Sequence, residues 1–330
     1  MSAPVPTFAD IEAAAERIAA YAVRTPLIEH PALNERANCR VLLKLENLQR
    51  TGSFKFRGAF NRISLIPEAD RAKGVLAFSS GNHAQGVAAA AKLLGLKATI
   101  VMPSDAPRAK IEGTRKLGAA IVEYDRVKDD REAIAARLHA ETGATLVKPF
   151  DDPFVVAGQG TTGLEIAGDA AARGIALDSV LVPCSGGGLV SGIALALAHA
   201  SPETKIFSVE PQNFEGMKLS LNEGTRTAAP GGALSLADAL MAPTPGHTPF
   251  ALAKKYLAGG VIVNDDDLAR AVSFAFRRLK LVVEPGGAAA LAAVLAGKAE
   301  RPSGTIALVI SGGNCDLETV AACCARFPDP

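Results

Sequence analysis

A lysine stands between two phenylalanines in Ser53-Phe54-Lys55-Phe56, just after Thr51-Gly52 and before Arg57-Gly58. An ammonium drawn into an apolar slot loses hydration, so its pKa falls and the neutral amine becomes a usable nucleophile or base. A lysine that forms a Schiff base with a carbonyl needs that property. Lysines beside aromatic rings more commonly lay their alkyl stems over apolar surface and keep the charge in water. The rest of the chain has to decide between these readings.

Pro183-Cys184-Ser185-Gly186-Gly187-Gly188-Leu189 follows an apolar run and precedes a helical one. Consecutive glycines let backbone N–H groups close around an anion, and a helix N-terminus adds donors and a favourable dipole. The alternative is a plain flexible turn. No Gly-Lys-Ser/Thr follows, so this is not a Walker A loop. A Rossmann turn serving a nicotinamide-dependent oxidoreductase is the other-class reading, with Glu210 where a ribose-binding acid belongs. Against it, Ser191 occupies the third glycine position of that fingerprint.

Two further turns have the same strand-to-turn setting. Ser79-Ser80-Gly81-Asn82-His83 opens a helix and offers N–H groups and hydroxyls to a carboxylate. Its plainer reading is an N-cap by Ser80 or Asn82. Ile310-Ser311-Gly312-Gly313-Asn314 places the Ser311 hydroxyl at the end of a strand, or is a simple left-handed turn.

The elements behind these turns are read from periodicity. Helical spacing covers 7–22, with Thr7 as N-cap, and 56–65, beginning at or just before Lys55. Short apolar strands at 41–45, 75–78, 98–102, 120–124 and 145–148 alternate with helices at 83–94, 107–117 and 130–142. After Pro149-Phe150-Asp151-Asp152-Pro153 the alternation resumes. Helices are expected at 160–172, 189–198 and 285–295, and after the cap Asn264, with strands at 179–182, 205–209, 260–263 and 305–310. Strands separated by helices of about ten residues mark parallel sheets with right-handed crossovers. The segment 222–249 is rich in Gly, Pro and Thr and is read as a functional loop region.

The expected architecture is α/β: two open, mostly parallel twisted sheets covered by helices. A large unit is formed by 1–72 and 150–330, and 73–149 is inserted between its parts. A ligand then sits in the inter-domain cleft beyond the carboxyl ends of the strands. A net charge of +1 and the absence of a basic stripe argue against nucleic acid. No apolar run reaches the ~18 residues of a membrane span. The N-terminus lacks a secretory pattern, and five cysteines without a C-x-x-C pair suggest neither a disulfide framework nor a zinc site, so a cytoplasmic location is expected.

Ser-Phe-Lys-Phe-Arg-Gly-Ala, Ser-Ser-Gly-Asn-His, Ala-Gly-Gln-Gly-Thr, Ser-Gly-Gly-Gly-Leu and Ser-Gly-Gly-Asn occur in that order. Together they resemble the fold-type II (tryptophan synthase β-like) pyridoxal-phosphate enzymes, and among them the serine/threonine dehydratase and serine racemase group. The likeness runs from Arg24-Thr25-Pro26-Leu27 to Asp316. It implies pyridoxal 5'-phosphate on Lys55 with Phe54 beside the ring, and Asn82 at the ring hydroxyl. It implies the phosphate on Gly186, Gly187, Gly188 and Leu189 with Ser185 at the edge, and Ser311 at the pyridine nitrogen. Ser80, Asn82 and His83 would hold the substrate carboxylate. Ser80 matches the acid/base of racemases on the face opposite the lysine. Glu284 matches a cleft-lining acid, or is a partner of a helix dipole.

A neutral serine at the ring nitrogen makes the cofactor a weaker electron sink, which suits prompt loss of a β-substituent. The resemblance therefore implies α,β-elimination from L-threonine or L-serine, giving a 2-oxo acid and ammonia with Lys55 as base. The alternatives are a serine racemase and a dehydratase of hydroxyaspartate or phenylserine. A homodimer is implied by the resemblance alone. No metal is expected: Glu210 is present, but Gly216 stands where relatives carry an aspartate ligand. Ala239 replaces a frequent glycine near the cofactor.

Overall fold

A computed structural model describes residues 5–79, 81–106, 108–125, 128–299 and 304–330, with 108–110 as backbone only. The chain begins with α1 (Phe8–Ile18), β1 (Leu27–Glu29), α2 (Pro31–Ala37), β2 (Arg40–Leu45), α3 (Lys55–Ser64) and α4 (Glu68–Arg71). It continues with β3 (Val75–Phe78), α5 (Asn82–Leu93), β4 (Ala98–Pro103), α6 (Arg108–Lys116), β5 (Ala120–Tyr124), α7 (Arg131–Thr142) and β6 (Thr145–Leu146). Next come α8 (Pro153–Ala172), β7 (Ser179–Pro183), α9 (Gly188–Ala200), β8 (Lys205–Pro211), α10 (Gly216–Glu223) and α11 (His247–Tyr256). The last elements are β9 (Gly259–Val263), α12 (Asp265–Phe274), α13 (Ala289–Leu295), β10 (Thr305–Ile310) and α14 (Leu317–Arg326).

Two sheets form, as the alternation predicts. One has six strands in the order β1-β2-β10-β7-β8-β9 and the other four in the order β5-β4-β3-β6. All pairings are parallel except that of β1 with β2. The large sheet is buried on both faces. Val41, Leu43 and Leu45 join Ile306, Leu308 and Ile310 under α12 and α13. Leu42, Ala307 and Val309 point the other way, into the layer that holds Val190, Ile193 and Leu197 of α9. Strands covered on both sides read as continuous apolar runs, and each fully buried Leu or Ile contributes about 1.5–3 kcal/mol relative to exposure.

Register brings the functional ends together. Ile310 pairs with Leu45, and Leu308 with Leu181. The turns that follow β2, β10 and β7 therefore open at the same edge of the sheet.

Several boundaries differ from the periodicity. The helix expected at 160–172 starts at Pro153, because Asp152 caps it and Pro at the first position is preset for a helix. Its early glycines hid it; Gly158 lies against Gly58, where a Cβ would stand 2.7 Å from the Gly58 Cα. The helix expected at 285–295 begins only at Ala289, and the strand expected at 145–148 ends at Leu146. The segment 222–249 holds the end of α10 and the start of α11. Thr7 and Asn264 both form capping boxes, with Asp10 and Asp267. Among the described residues no helix is long and apolar enough to cross a membrane.

Candidate active site

Lys55 is the first residue of α3, and the three residues before it are stitched to the end of β10. Ser53 bridges Gly312, the Phe54 N–H donates to the Ser311 carbonyl at 3.1 Å, and Gly313 donates to Gly52 at 2.9 Å. The turn begins at Thr51, a non-glycine residue at φ 65°, whose carbonyl accepts the Asn314 side-chain amide at 2.7 Å. The strained turn is thus tied on both sides. Lys55 Nζ donates to the Pro149 carbonyl at 2.8 Å and stands 5.1 Å from the centre of the Phe54 ring. Desolvation by burial pushes its pKa down to about 8, against the opposing pull of the Glu284 carboxylate. Lys55 meets the Phe54 ring on one side and the Pro149 carbonyl and Glu284 charge on the other, and its lowered pKa leaves a fraction of the amine neutral near neutral pH.

The facing turn is the N-terminus of α5. Gly86 lets this helix approach closely, since a Cβ there would stand 3.1 Å from the Lys55 carbonyl carbon. Asn82 Nδ2 donates to Glu284 Oε1 at 2.6 Å, and its Oδ1 accepts from Asn314 Nδ2 at 2.8 Å. One amide hydrogen remains for a ligand. Ser80 lies outside the described residues. His83 is buried, and its Nε2 faces the Val147 carbonyl at 2.8 Å, so Nε2 carries the hydrogen. Burial, then the nearby Lys55 charge, hold its pKa down to about 3 despite that bond. A neutral ring committed in this way cannot donate to a carboxylate. What this turn offers an anion is the set of N–H groups in the first turn of α5.

The glycine loop sits at the N-terminus of α9, a 13-residue helix without a side-chain cap. Gly187 has φ 92°, and a Cβ there would come within 2.5 Å of Met217 Cε and 2.9 Å of Pro249 Cβ. Ser185 Oγ accepts the Ala242 N–H at 3.0 Å, which anchors the edge of the loop. Gly186 lies within the turn, and Gly188 and Leu189 begin the helix, where first-turn amides have no intrahelical acceptor and could serve an anion. These donors fit a phosphate, and the Lys55 amine fits the carbonyl of the same ligand.

Ser311 and Glu284 are buried at the same edge, and the Glu284 N–H donates to the Gly312 carbonyl at 3.2 Å. Ala239 lies behind Gly286, where a Cβ would stand 3.4 Å from its own. Glu210 is also buried, but both of its oxygens are engaged, accepting N–H groups of Met217 at 2.7 Å and Lys218 at 2.9 Å. Burial pushes its carboxyl up to about 8 in spite of those donors. It anchors α10, whose Met217 packs on Gly187. Among the described residues no group of three or more His, Cys, Asp or Glu is placed to hold a metal ion.

One functional cluster was not foreseen. Arg57, two residues beyond Lys55, is fully buried between two carboxylates. It donates to Glu46 at 2.8 Å through Nε and through one terminal nitrogen, and to Glu165 at 2.7 and 2.9 Å. Lys44 meets Glu165 at 2.5 Å and the Thr25 carbonyl at 2.6 Å. Burial works against the Arg57 charge, but Glu46 and Glu165 outweigh it and raise its pKa above the ordinary value. The two cations and two carboxylates fix the α3 turn that carries Lys55. A lysine inside the apolar run Val41-Leu42-Leu43-Lys44-Leu45 is the signal that could have found them.

The model of the family "Pyridoxal-phosphate dependent enzyme" matches residues 18–312. The chain is 43% identical to L-threonine ammonia-lyase of Thermotoga maritima, over 95% of this chain and 77% of that protein. It is 40% identical to L-threo-3-hydroxyaspartate ammonia-lyase of Saccharomyces cerevisiae, over 96% of each. It is similar in structure to maize serine racemase, with a TM-score of 0.91 and 33% identity, over 99% of each chain.

Proposed function

The chain belongs to the pyridoxal-phosphate dependent enzyme family, and on that premise we propose that it is an ammonia-lyase converting L-threonine or L-serine to a 2-oxo acid and ammonia. Its cofactor is pyridoxal 5'-phosphate. The observation that carries the reading is one cleft edge holding the Lys55 amine, the neutral hydroxyl of Ser311 and the glycine cradle.

When bound, the cofactor withdraws electrons from the amino acid and acidifies its α-carbon. The protein supplies the rest. Amides of Gly186, Gly187, Gly188 and Leu189 hold the phosphate, with Ser185 at the edge. Phe54 would flank the ring, Asn82 would offer its remaining amide hydrogen, and Ser311 would face the ring nitrogen without a charge. First-turn amides of α5, with Asn82 and His83 contributing backbone N–H groups, hold the substrate carboxylate. Lys55 Nζ takes the α-proton, and Pro149 is the acceptor for the resulting ammonium. The β-hydroxyl leaves as water, taking a proton from the Lys55 ammonium, and the released enamine hydrolyses to the 2-oxo acid and ammonia.

The proposed division into 1–72 with 150–330 and 73–149 is supported by the grouping of strands into two sheets. Homodimeric assembly rests on the resemblance, and a cytoplasmic setting on five free thiols. Likeness to the hydroxyaspartate lyase and to serine racemase favours a second reading, in which another β-hydroxy amino acid is preferred or racemisation accompanies elimination. A panel of L-threonine, L-serine, hydroxyaspartate and phenylserine, scored for 2-oxo acid and for chirality of the remaining substrate, separates them. Absence of 2-oxo acid from every member would overturn the lyase reading.

A further inference from the structure

The crossover from β6 to α8 touches His83, Lys55 and the glycine loop within six residues. The Val147 carbonyl accepts from His83 Nε2, and the Pro149 carbonyl from Lys55 Nζ, each at 2.8 Å. The Phe150 ring lies so close to Gly186 that a Cβ there would overlap it. A Cβ on Gly188 would stand 3.1 Å from the Phe150 Cα. Asp151 accepts the Thr248 N–H of α11 at 2.9 Å, and Gly246, which precedes α11, donates to the Gly186 carbonyl at 3.0 Å. Asp152 caps α8 and pairs with Arg62 of α3 at 2.9 Å.

We infer that Phe150 is a positioning residue, whose ring fixes the glycine loop and, through the adjoining Pro149, sets the distance from that loop to the Lys55 amine. The inference rests on reading Lys55 and the 186–189 loop as the cofactor site. Three consecutive glycines carry no side chains to limit their own conformation, and glycine loses more freedom on ordering than any other residue. An aromatic ring seated on the Cα of the first glycine supplies the missing constraint. The next peptide back along the chain carries the carbonyl that holds Lys55. That carbonyl and the Phe150 N–H belong to one planar peptide, so displacement of the Phe150 backbone moves the carbonyl with it. One dipeptide therefore contacts both ends of the ligand site.

The test uses the protein freed of cofactor, as wild type, Phe150→Ala, Phe150→Leu and, as a control, Phe154→Ala, whose ring is exposed in the first turn of α8. Each is titrated with pyridoxal 5'-phosphate and with pyridoxal, which lacks the phosphate, following the absorbance of the adduct. In wild type the phosphorylated form is strongly preferred. In Phe150→Ala that preference falls by about tenfold or more, as expected for a misplacement of the order of an ångström. Phe150→Leu falls less and Phe154→Ala keeps the preference. If Phe150→Ala does not fold, Phe150→Leu against the control gives the same reading. A lowered melting temperature with unchanged preference in the Phe150 variants would overturn the inference, leaving the ring an ordinary packing group. Failure of the wild type to form an adduct would instead overturn the assignment of Lys55 and the loop, and the inference with it.

Discussion

The Asn82 side-chain amide donates to Glu284 at 2.6 Å, joining residues 202 positions apart from the two sheets. That bond holds the carboxylate whose charge opposes the loss of the proton from Lys55. Glu284→Gln keeps an acceptor for Asn82 and removes the charge. Less negative potential at Nζ disfavours the ammonium, so the Lys55 pKa should fall further below about 8. The rate of adduct formation with pyridoxal 5'-phosphate, followed against pH, should show its midpoint displaced to lower pH. An upward shift would exclude Glu284 as the countercharge.

Lys55→Met makes a paired prediction. Turnover of L-threonine and L-serine should fall by at least about a thousandfold, in line with loss of a general base. In cofactor-free protein the same change should stabilise the fold below about pH 8. The wild-type pKa drops from 10.5 to about 8 on folding, so the unfolded chain binds more protons between these values and wild-type stability rises with pH across that window. The advantage of the variant is therefore largest below about 8 and vanishes above 10.5. Denaturant midpoints at three pH values check this. Equal midpoints throughout would mean that the amine is solvated in the free protein.

Glu210→Gln should behave in the opposite sense. The Glu210 carboxyl rises from 4.5 to about 8 on folding, so the folded chain binds the extra proton and wild-type stability is lost as pH rises through that range. Glutamine resembles the protonated acid and keeps an acceptor for one of the two α10 amides. The variant should match wild type at the acid end and exceed it in relative stability at the alkaline end. Paired urea titrations at the two ends measure the difference.

Arg57→Met leaves Glu46 and Glu165 facing only Lys44. Breaking a buried pair from one side costs about 3–5 kcal/mol, because a desolvated charge is left without its partner. The denaturation midpoint should drop accordingly. Adding Glu46→Gln should recover part of the loss, and strictly additive effects would show that the two side chains do not act as a unit.

The alternation of apolar runs with helical spacing was enough to give both sheets, because strands covered on two faces and helices covered on one leave different periods. Lys55 at a helix start, the glycine turn before α9 and the strand-end turn at 311 were legible for the same local reason. What escaped was set by distant partners. Glu165 lies 108 positions from Arg57, so nothing beside the arginine marks it as buried. Leu27–Glu29 is a three-residue antiparallel edge, too short to show a period. His83 illustrates a subtler limit: its position in the cleft was readable, but its tautomer depends on the Val147 carbonyl, 64 residues away. Phe150 stood within a run taken as punctuation, and its contact with Gly186 exists only after the crossover has folded back on α9.

β10, the last strand of the chain, is not at an edge of its sheet but is inserted between β2 and β7. Until residues 305–310 arrive, the strands that lead to Lys55 and to the glycine loop have no common neighbour to hold them side by side. Without β10 the two halves of the cleft are left with open strand edges and lack their keystone. Chains truncated before that strand should remain protease-sensitive and unable to retain the cofactor, so closure of the cleft is an all-or-none event rather than a gradual assembly.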